Sequence, residues 1–284
     1  MIAAPRPHGF RKCYPRCGLD AFPHLVHPEV RRRLDRLDLA FGAHGFDPYG
    51  ASRAVLGLFF SALRPFYRSY FKVRVHGLQH VPERGRAMVV GNHSGGMPVD
   101  ALMVLGSLFF DHDPPRLAHG MVEKFVAPLP FIGDIARGLG QLTGLPEHAL
   151  RLLSEERLLM VFPEGVRGTA KLFAERNSLV RFGTGFVRLA LKARAPIVPL
   201  ACVGAGNAVP TVANAVGLGR VFGLPYVPLT PYLLPLPLPA RIDLHYGAPL
   251  VFPGDGNEED EVVERHVAVV KAAIAALIEQ GLRA

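Results

Sequence analysis

The chain predicts an α/β fold, a mixed β-sheet flanked by helices and preceded by an N-terminal amphipathic helical segment. Three observations carry this prediction. Apolar runs of strand length, such as RAMVV at 86–90 and LLMVF at 158–162, alternate with segments of helical periodicity. Nearly half of the 284 residues are apolar, 49%, which is enough to bury a sizeable core. The 30 Gly and 26 Pro imply many turns and few very long elements.

In chain order, residues 1 to about 50 are rich in Arg, His, Pro and Gly, and PEVRRRLDRLDLAFG within them reads as a short charged helix. Ala54–Phe71, AVLGLFFSALRPFYRSYF, mixes large apolar and aromatic residues with Arg64 and Arg68. It reads either as packing or as an interfacial element whose arginines meet lipid phosphate. Arg86–Val90 is then a strand, and Pro98–Phe110 a helix with proline at its first position. Glu147–Glu156 is a second helix and Leu158–Phe162 a second strand. Thr184–Arg194 is helical, Pro196–Ala201 and Arg241–Tyr246 are strands, and Glu258–Leu282 is an apolar-striped terminal helix. Strands separated by helical patterns imply a sheet with helices on its faces. The six prolines of Val221–Pro239, VFGLPYVPLTPYLLPLPLP, exclude a regular helix there and favour ordinary surface packing over a lipid-facing loop. Two units follow: residues 1–72 as a basic, amphipathic, membrane-associating segment, and residues 73–284 as the catalytic domain.

The formal charge of +8 favours an anionic partner: nucleic acid, an acidic membrane surface or a phosphorylated ligand. No nucleic-acid recognition motif is present, which argues against the first. Three cysteines make no disulfide framework. Cys13 and Cys17 lie near His8, His24 and His27, but their spacing matches no standard zinc site, so no metal is expected. The first residues, MIAAPRPHGFRKCYPRC, contain no continuous apolar stretch, so no secretory signal is expected. No run reaches the roughly 18 apolar residues that a spanning helix needs. A peripheral or monotopic protein on the cytoplasmic face of a membrane is therefore expected.

Two constellations carry chemistry, each just past a predicted buried strand. In Gly91-Asn92-His93-Ser94-Gly95-Gly96-Met97-Pro98-Val99-Asp100, a histidine lies where open α/β sheets bind ligands. The loop is able to fold Asp100 back on His93, where a carboxylate would fix the tautomer and stabilise the imidazolium. Gly95 and Gly96 permit a sharp turn and leave room for a substrate. The bland alternative is that Asp100 complements a helix N-terminus and His93 is a hydrogen-bonded loop residue. The second constellation, Phe162-Pro163-Glu164-Gly165-Val166-Arg167-Gly168, reads as a binding loop or, equally, as a turn with a surface ion pair. No Gly-x-Ser-x-Gly elbow surrounds Ser94, so it is not read as a nucleophile.

Taken together, Asn92-His93, Asp100 and Phe162-Pro163-Glu164-Gly165-Val166-Arg167 resemble the phospholipid/glycerol acyltransferase family, which includes the lysophosphatidate acyltransferases. Ile197-Val198-Pro199-Leu200, with Gly204 beyond it, matches a later Val-Pro strand motif of that family, and the resemblance covers roughly residues 74 to 250. Six residues separate His93 from Asp100, where the commonest family pattern has four, so the chain looks like a branch of the family. A family block ending in an Arg associated with the acceptor phosphate falls here on Gly140-Gln141-Leu142-Thr143-Gly144-Leu145-Pro146, and the Arg position is Pro146. That favours a neutral glycerolipid or another alcohol as acceptor.

The resemblance implies a glycerol-phosphate acyltransferase-like fold and direct transfer of a fatty acyl group to a lipid hydroxyl. The donor would be acyl-CoA or an acyl carrier protein, serving as co-substrate with no further cofactor. It assigns His93 as general base, Asp100 as the group that orients it, and Glu164, Gly165 and Arg167 as acceptor-binding. Lys171, Arg176, Arg181 and Arg188 would either meet coenzyme A phosphates or be solvated. A lipid hydrolase or thioesterase using the same His–Asp pair, and a noncatalytic lipid-binding protein, are the competing readings.

Overall fold

A computed structural model describes residues 24–233 and 236–284. Cys13, Cys17 and His8 lie outside the described residues. The described residues begin with α1 (Pro28–Leu34) and α2 (Arg53–Pro65), followed by strand β1 (Arg74–His76) and strand β2 (Ala87–Gly91). Helix α3 (Val99–Phe110), β3 (Ala118–Val122), α4 (Ile132–Gly138), β4 (Leu142–Thr143), α5 (Pro146–Ser154) and β5 (Leu158–Val161) come next. The short α6 (Val166–Thr169) and α7 (Gly185–Ala193) lead into β6 (Ile197–Val203) and α8 (Ala205–Ala208). A hairpin follows, β7 (Ala213–Ala215), α9 (Val216–Val221) and β8 (Val227–Leu229), and then β9 (Asp243–Tyr246) and α10 (Asp260–Arg283).

The main sheet has seven strands in the order β1-β9-β6-β2-β5-β3-β4. Every pairing is parallel except β6 with β9, so the sheet is mixed, as the sequence predicts. Strands β2 and β6 are buried along their whole length, which explains why they read as unbroken apolar runs. Alternate residues of β2 serve opposite layers, because strand side chains point to the two faces in turn. Ala87 and Val89 join a core with α1, α2 and α3, while Met88 and Val90 join a second core with α5, α7 and α10.

The strands and helices expected from Arg86 onward recur within a few residues of their predicted bounds, whereas the charged helix expected within residues 28–42 stops at Leu34. The strands missed are β1, β3, β4 and the β7–β8 hairpin, which are short or, like β3 with His119 and Gly120, interrupted by polar residues and glycine. Residues 53–70 are helical, and one face is covered internally: Leu56, Phe60, Leu63 and Tyr67 are buried, and Phe60 stacks on Phe109 of α3 at 3.8 Å. Arg64 pairs with Glu29 at 2.6 Å and Arg68 with Asp111 at 2.8 Å, so the two arginines read as lipid-phosphate ligands each have an internal acid. No helix among the described residues is long and apolar enough to cross a membrane.

Candidate active site

The sheet order accounts for the meeting of residues far apart in sequence. Strand β2 lies between β5 and β6 and runs parallel to both, so the loops after these three strands leave the sheet on one edge. Asn92 fixes the β2 loop to β6. Its Nδ2 donates to the Cys202 carbonyl at 3.1 Å and its Oδ1 accepts from the Cys202 amide at 2.8 Å. The amide side chain thus continues the sheet pairing one residue past the strand, and His93 starts from a rigid base.

His93 and Asp100 are brought together. His93 Nδ1 lies 3.1 Å from Asp100 Oδ2 and 3.2 Å from Oδ1. Asp100 Oδ2 also accepts from the Ser94 amide at 2.9 Å, and Oδ1 from the Ala101 amide at 2.7 Å. The carboxylate is 1% exposed, yet it is satisfied by the imidazole and two backbone donors, as a buried charge requires. With Nδ1 bound to the carboxylate as a donor, Nε2 is left as the basic nitrogen. The imidazole stacks on Phe162, with centroids 4.2 Å apart and planes 16° from parallel. Phe162 therefore fixes the ring plane, a role its place in the second motif did not disclose. Ser94 is buried, and its hydroxyl donates to the Cys202 carbonyl at 3.3 Å.

The second loop is anchored by Lys171, which the sequence reading gave either to coenzyme A phosphates or to solvent. Lys171 is buried, with Nζ 2.5 Å from Glu164 Oε2 and donating at 2.7 Å to the carbonyls of both His93 and Ser178. One ammonium thus ties the backbone of the histidine to the carboxylate of the second motif. Burial pushes the Glu164 carboxyl up and the Lys171 ammonium down, and their mutual attraction opposes both shifts. Glu164 Oε1 has no hydrogen-bond partner among the described residues. The signal that reveals Lys171 is its contacts, since nothing in its sequence neighbourhood separates it from a solvated lysine.

Two glycines permit the interlock. A Cβ on Gly168 would stand 2.6 Å from Glu164 Cβ and 2.8 Å from His93 Cβ. Gly95, at φ +93°, would place one 2.6 Å from the Lys171 carbonyl oxygen. Gly95 and Gly96 thus make room for the segments at Lys171, Val209 and Thr211. Gly165, also at positive φ, turns the chain into α6. Arg167 is exposed, and its guanidinium donates to the Arg181 carbonyl at 3.4 Å. Arg188 is occupied by the carbonyls of Gly256 and Glu258 and by Asp260. Arg176 lies 4.0 Å over the Phe173 ring and bonds Asn207. Pro146 is the first residue of α5, a position that suits a proline.

A family model described as Acyltransferase matches residues 72–203. Proteins of uncharacterised function from Mycobacterium tuberculosis and Mycobacterium bovis are each 39% identical over 229 residues, covering 78% of this chain and 62% of theirs. The chain therefore spans less than two thirds of the length of these relatives. A protein from Limnanthes douglasii named 1-acyl-sn-glycerol-3-phosphate acyltransferase is 28% identical over 144 residues, 46% of this chain and 45% of that one. The fold is that of the 1-acyl-sn-glycerophosphate (LPA) acyltransferase PlsC from Thermotoga maritima, with a TM-score of 0.55, 17% identity and 82% of each chain covered.

Proposed function

We propose, from the match of residues 72–203 to the family model described as Acyltransferase, that the protein transfers a fatty acyl group from a thioester donor, acyl-CoA or an acyl carrier protein, to a hydroxyl of a glycerolipid or related lipid. The observation that carries the reading is the buried His93–Asp100 pair at the end of β2.

His93 Nε2 takes the proton of the acceptor hydroxyl as the oxygen bonds to the thioester carbonyl carbon. The carbon–sulfur bond then breaks, the proton returns to the departing thiolate, and the products are an ester and a free thiol. Asp100 holds Nδ1 as the donor and stabilises the imidazolium between these steps. General-base help of this kind contributes about 10²–10⁴ in rate. Arg167, exposed on the second loop, holds the polar group of the acceptor through its planar fork. Gly165 sets the turn that presents Arg167, and Glu164 acts through Lys171 to keep the two loops in register. The proline at position 146, where the family block places its Arg, removes a phosphate ligand and favours a neutral acceptor.

The test incubates the purified protein with acyl-CoA and a panel of glycerolipid acceptors and identifies products by mass spectrometry. An acylated lipid and free coenzyme A are expected in equal amounts. Release of free fatty acid at a rate indifferent to every acceptor would sink the transfer reading in favour of hydrolysis.

A further inference from the structure

Of the two apolar segments evident in the sequence, the one that remains uncovered is the proline-rich one. Around the β7–β8 hairpin, Val216, Leu218, Val221 and Phe222 are all exposed, Val221 to 78%. Leu236 is 62% exposed on the following loop. The Tyr70 hydroxyl donates to the Pro237 carbonyl at 2.9 Å, so the exposed rings of Tyr70 and Phe66 at the end of the α2 region adjoin the same loop. Isolated exposed apolar side chains are ordinary, but a cluster of this kind marks an interaction surface.

Charge selects the occupant. Between Glu175 and Asp243 the chain contains no acidic residue, while Arg181 and Arg220 lie exposed in that interval. Arg220 stands in α9, one residue before Val221. A second copy of the chain would bring the same uncompensated cations to a symmetric interface. An anionic bilayer supplies what is missing, hydrocarbon for the apolar side chains and phosphate for the arginine beside them.

The inner side of the hairpin is fastened to the catalytic loop. Asn214 Nδ2 donates to the Ala170 carbonyl and the Tyr226 hydroxyl to Thr169 Oγ1, each at 2.6 Å, and the Phe173 amide donates to the Thr211 carbonyl at 2.8 Å. These contacts flank Lys171 on both sides. We propose that the hairpin tip and the proline-rich loop, with Val221, Phe222 and Leu236 as apolar anchors and Arg220 as the phosphate contact, form the membrane-docking surface, which sets the active site at the bilayer where a lipid acceptor resides. The acceptor clause rests on the function proposed above; the surface itself does not.

The full chain is sedimented with vesicles of mixed phosphatidylcholine and phosphatidylglycerol. The parent binds, and added salt weakens binding by screening. Val221→Glu/Phe222→Glu lowers the partition coefficient at least about tenfold, and Arg220→Gln about fivefold. Both variants keep the parent melting temperature, since the replaced side chains are exposed. Leu58→Glu, on the exposed side of α2, leaves binding as it was. A double variant that binds within about twofold of the parent overturns the proposal. So does a larger loss from Leu58→Glu, which would move the surface to α2, and so does a parent that ignores vesicles but dimerises through Phe222. Acyl transfer to a monomeric short-chain acceptor is scored separately. A parent that binds vesicles yet transfers nothing defeats the function reading and leaves the docking surface standing.

Discussion

Two buried histidines lie in or just past strands that both flank β5, and their surroundings give them opposite capacities. His119, inside β3, is fully buried, with Nδ1 on the Gly140 carbonyl at 2.8 Å and Nε2 without a hydrogen-bond partner among the described residues. Burial holds its imidazole below its ordinary range, and the Gly140 carbonyl only partly offsets this. It is a core residue locked neutral. His93 lies two residues past its strand, keeps 8% of its surface exposed, and has a carboxylate where His119 has a carbonyl. The contrast teaches that burial does not make a base. A base needs an anion on one ring nitrogen to stabilise the proton it gains, and a second nitrogen that a substrate reaches.

The largest effect that would test this contrast is at the first histidine. His93→Ala is expected to lower kcat about 10²–10⁴-fold while the melting temperature stays near that of the parent. Asp100→Asn should approach the same loss, because an amide cannot stabilise the imidazolium and leaves the tautomer uncontrolled. Near-parental turnover in either variant would erase the difference drawn between the two histidines.

A smaller effect on activity, with a larger one on stability, is expected at Lys171. Lys171→Met leaves the Glu164 carboxylate buried without its cation, a change that typically costs about 3–5 kcal/mol, and it frees the His93 carbonyl. Lys171→Met/Glu164→Gln should recover most of the melting temperature but not the turnover. Recovery of both would reduce the pair to packing, and recovery of neither would show that the ammonium's bonds to the carbonyls of His93 and Ser178 matter more than its charge.

The smallest effect sharpens the other side of the comparison. Above about pH 6.5 His119 is neutral in both the folded and the unfolded chain, and its stability contribution is fully present. As pH falls below that value, the unfolded chain takes up a proton that the folded chain refuses, so stability is lost until the lowered folded value is passed. The loss is at most about 1.4 kcal/mol per pH unit, a melting-temperature slope of a few degrees. His245 is shifted the same way by burial. His119→Gln should therefore flatten this acid slope in part and leave kcat unchanged; an unaltered slope would mean that His119 titrates as freely as a surface histidine.

The amino-acid sequence by itself determined the alternation of strands and helices and the placing of His93 and Glu164 just past two strands, and it offered the pairing of His93 with Asp100 across one short loop as one of two readings. These rest on local periodicity and on residue types close together in the chain, which any window of sequence displays. Only the tertiary structure decided that β5 and β6 flank β2, that β1 and β9 together run antiparallel to the other five strands, and that Lys171 turns inward under His93. It also decided which of the two apolar segments is covered. Residues 54–71 find a partner in α3 and cover their stripe, whereas the tip of the β7–β8 hairpin finds none. The physical reason is common to these cases. Burial belongs to a side chain together with whatever covers it, and the covering element lies elsewhere in the chain, at a distance that neither periodicity nor composition encodes.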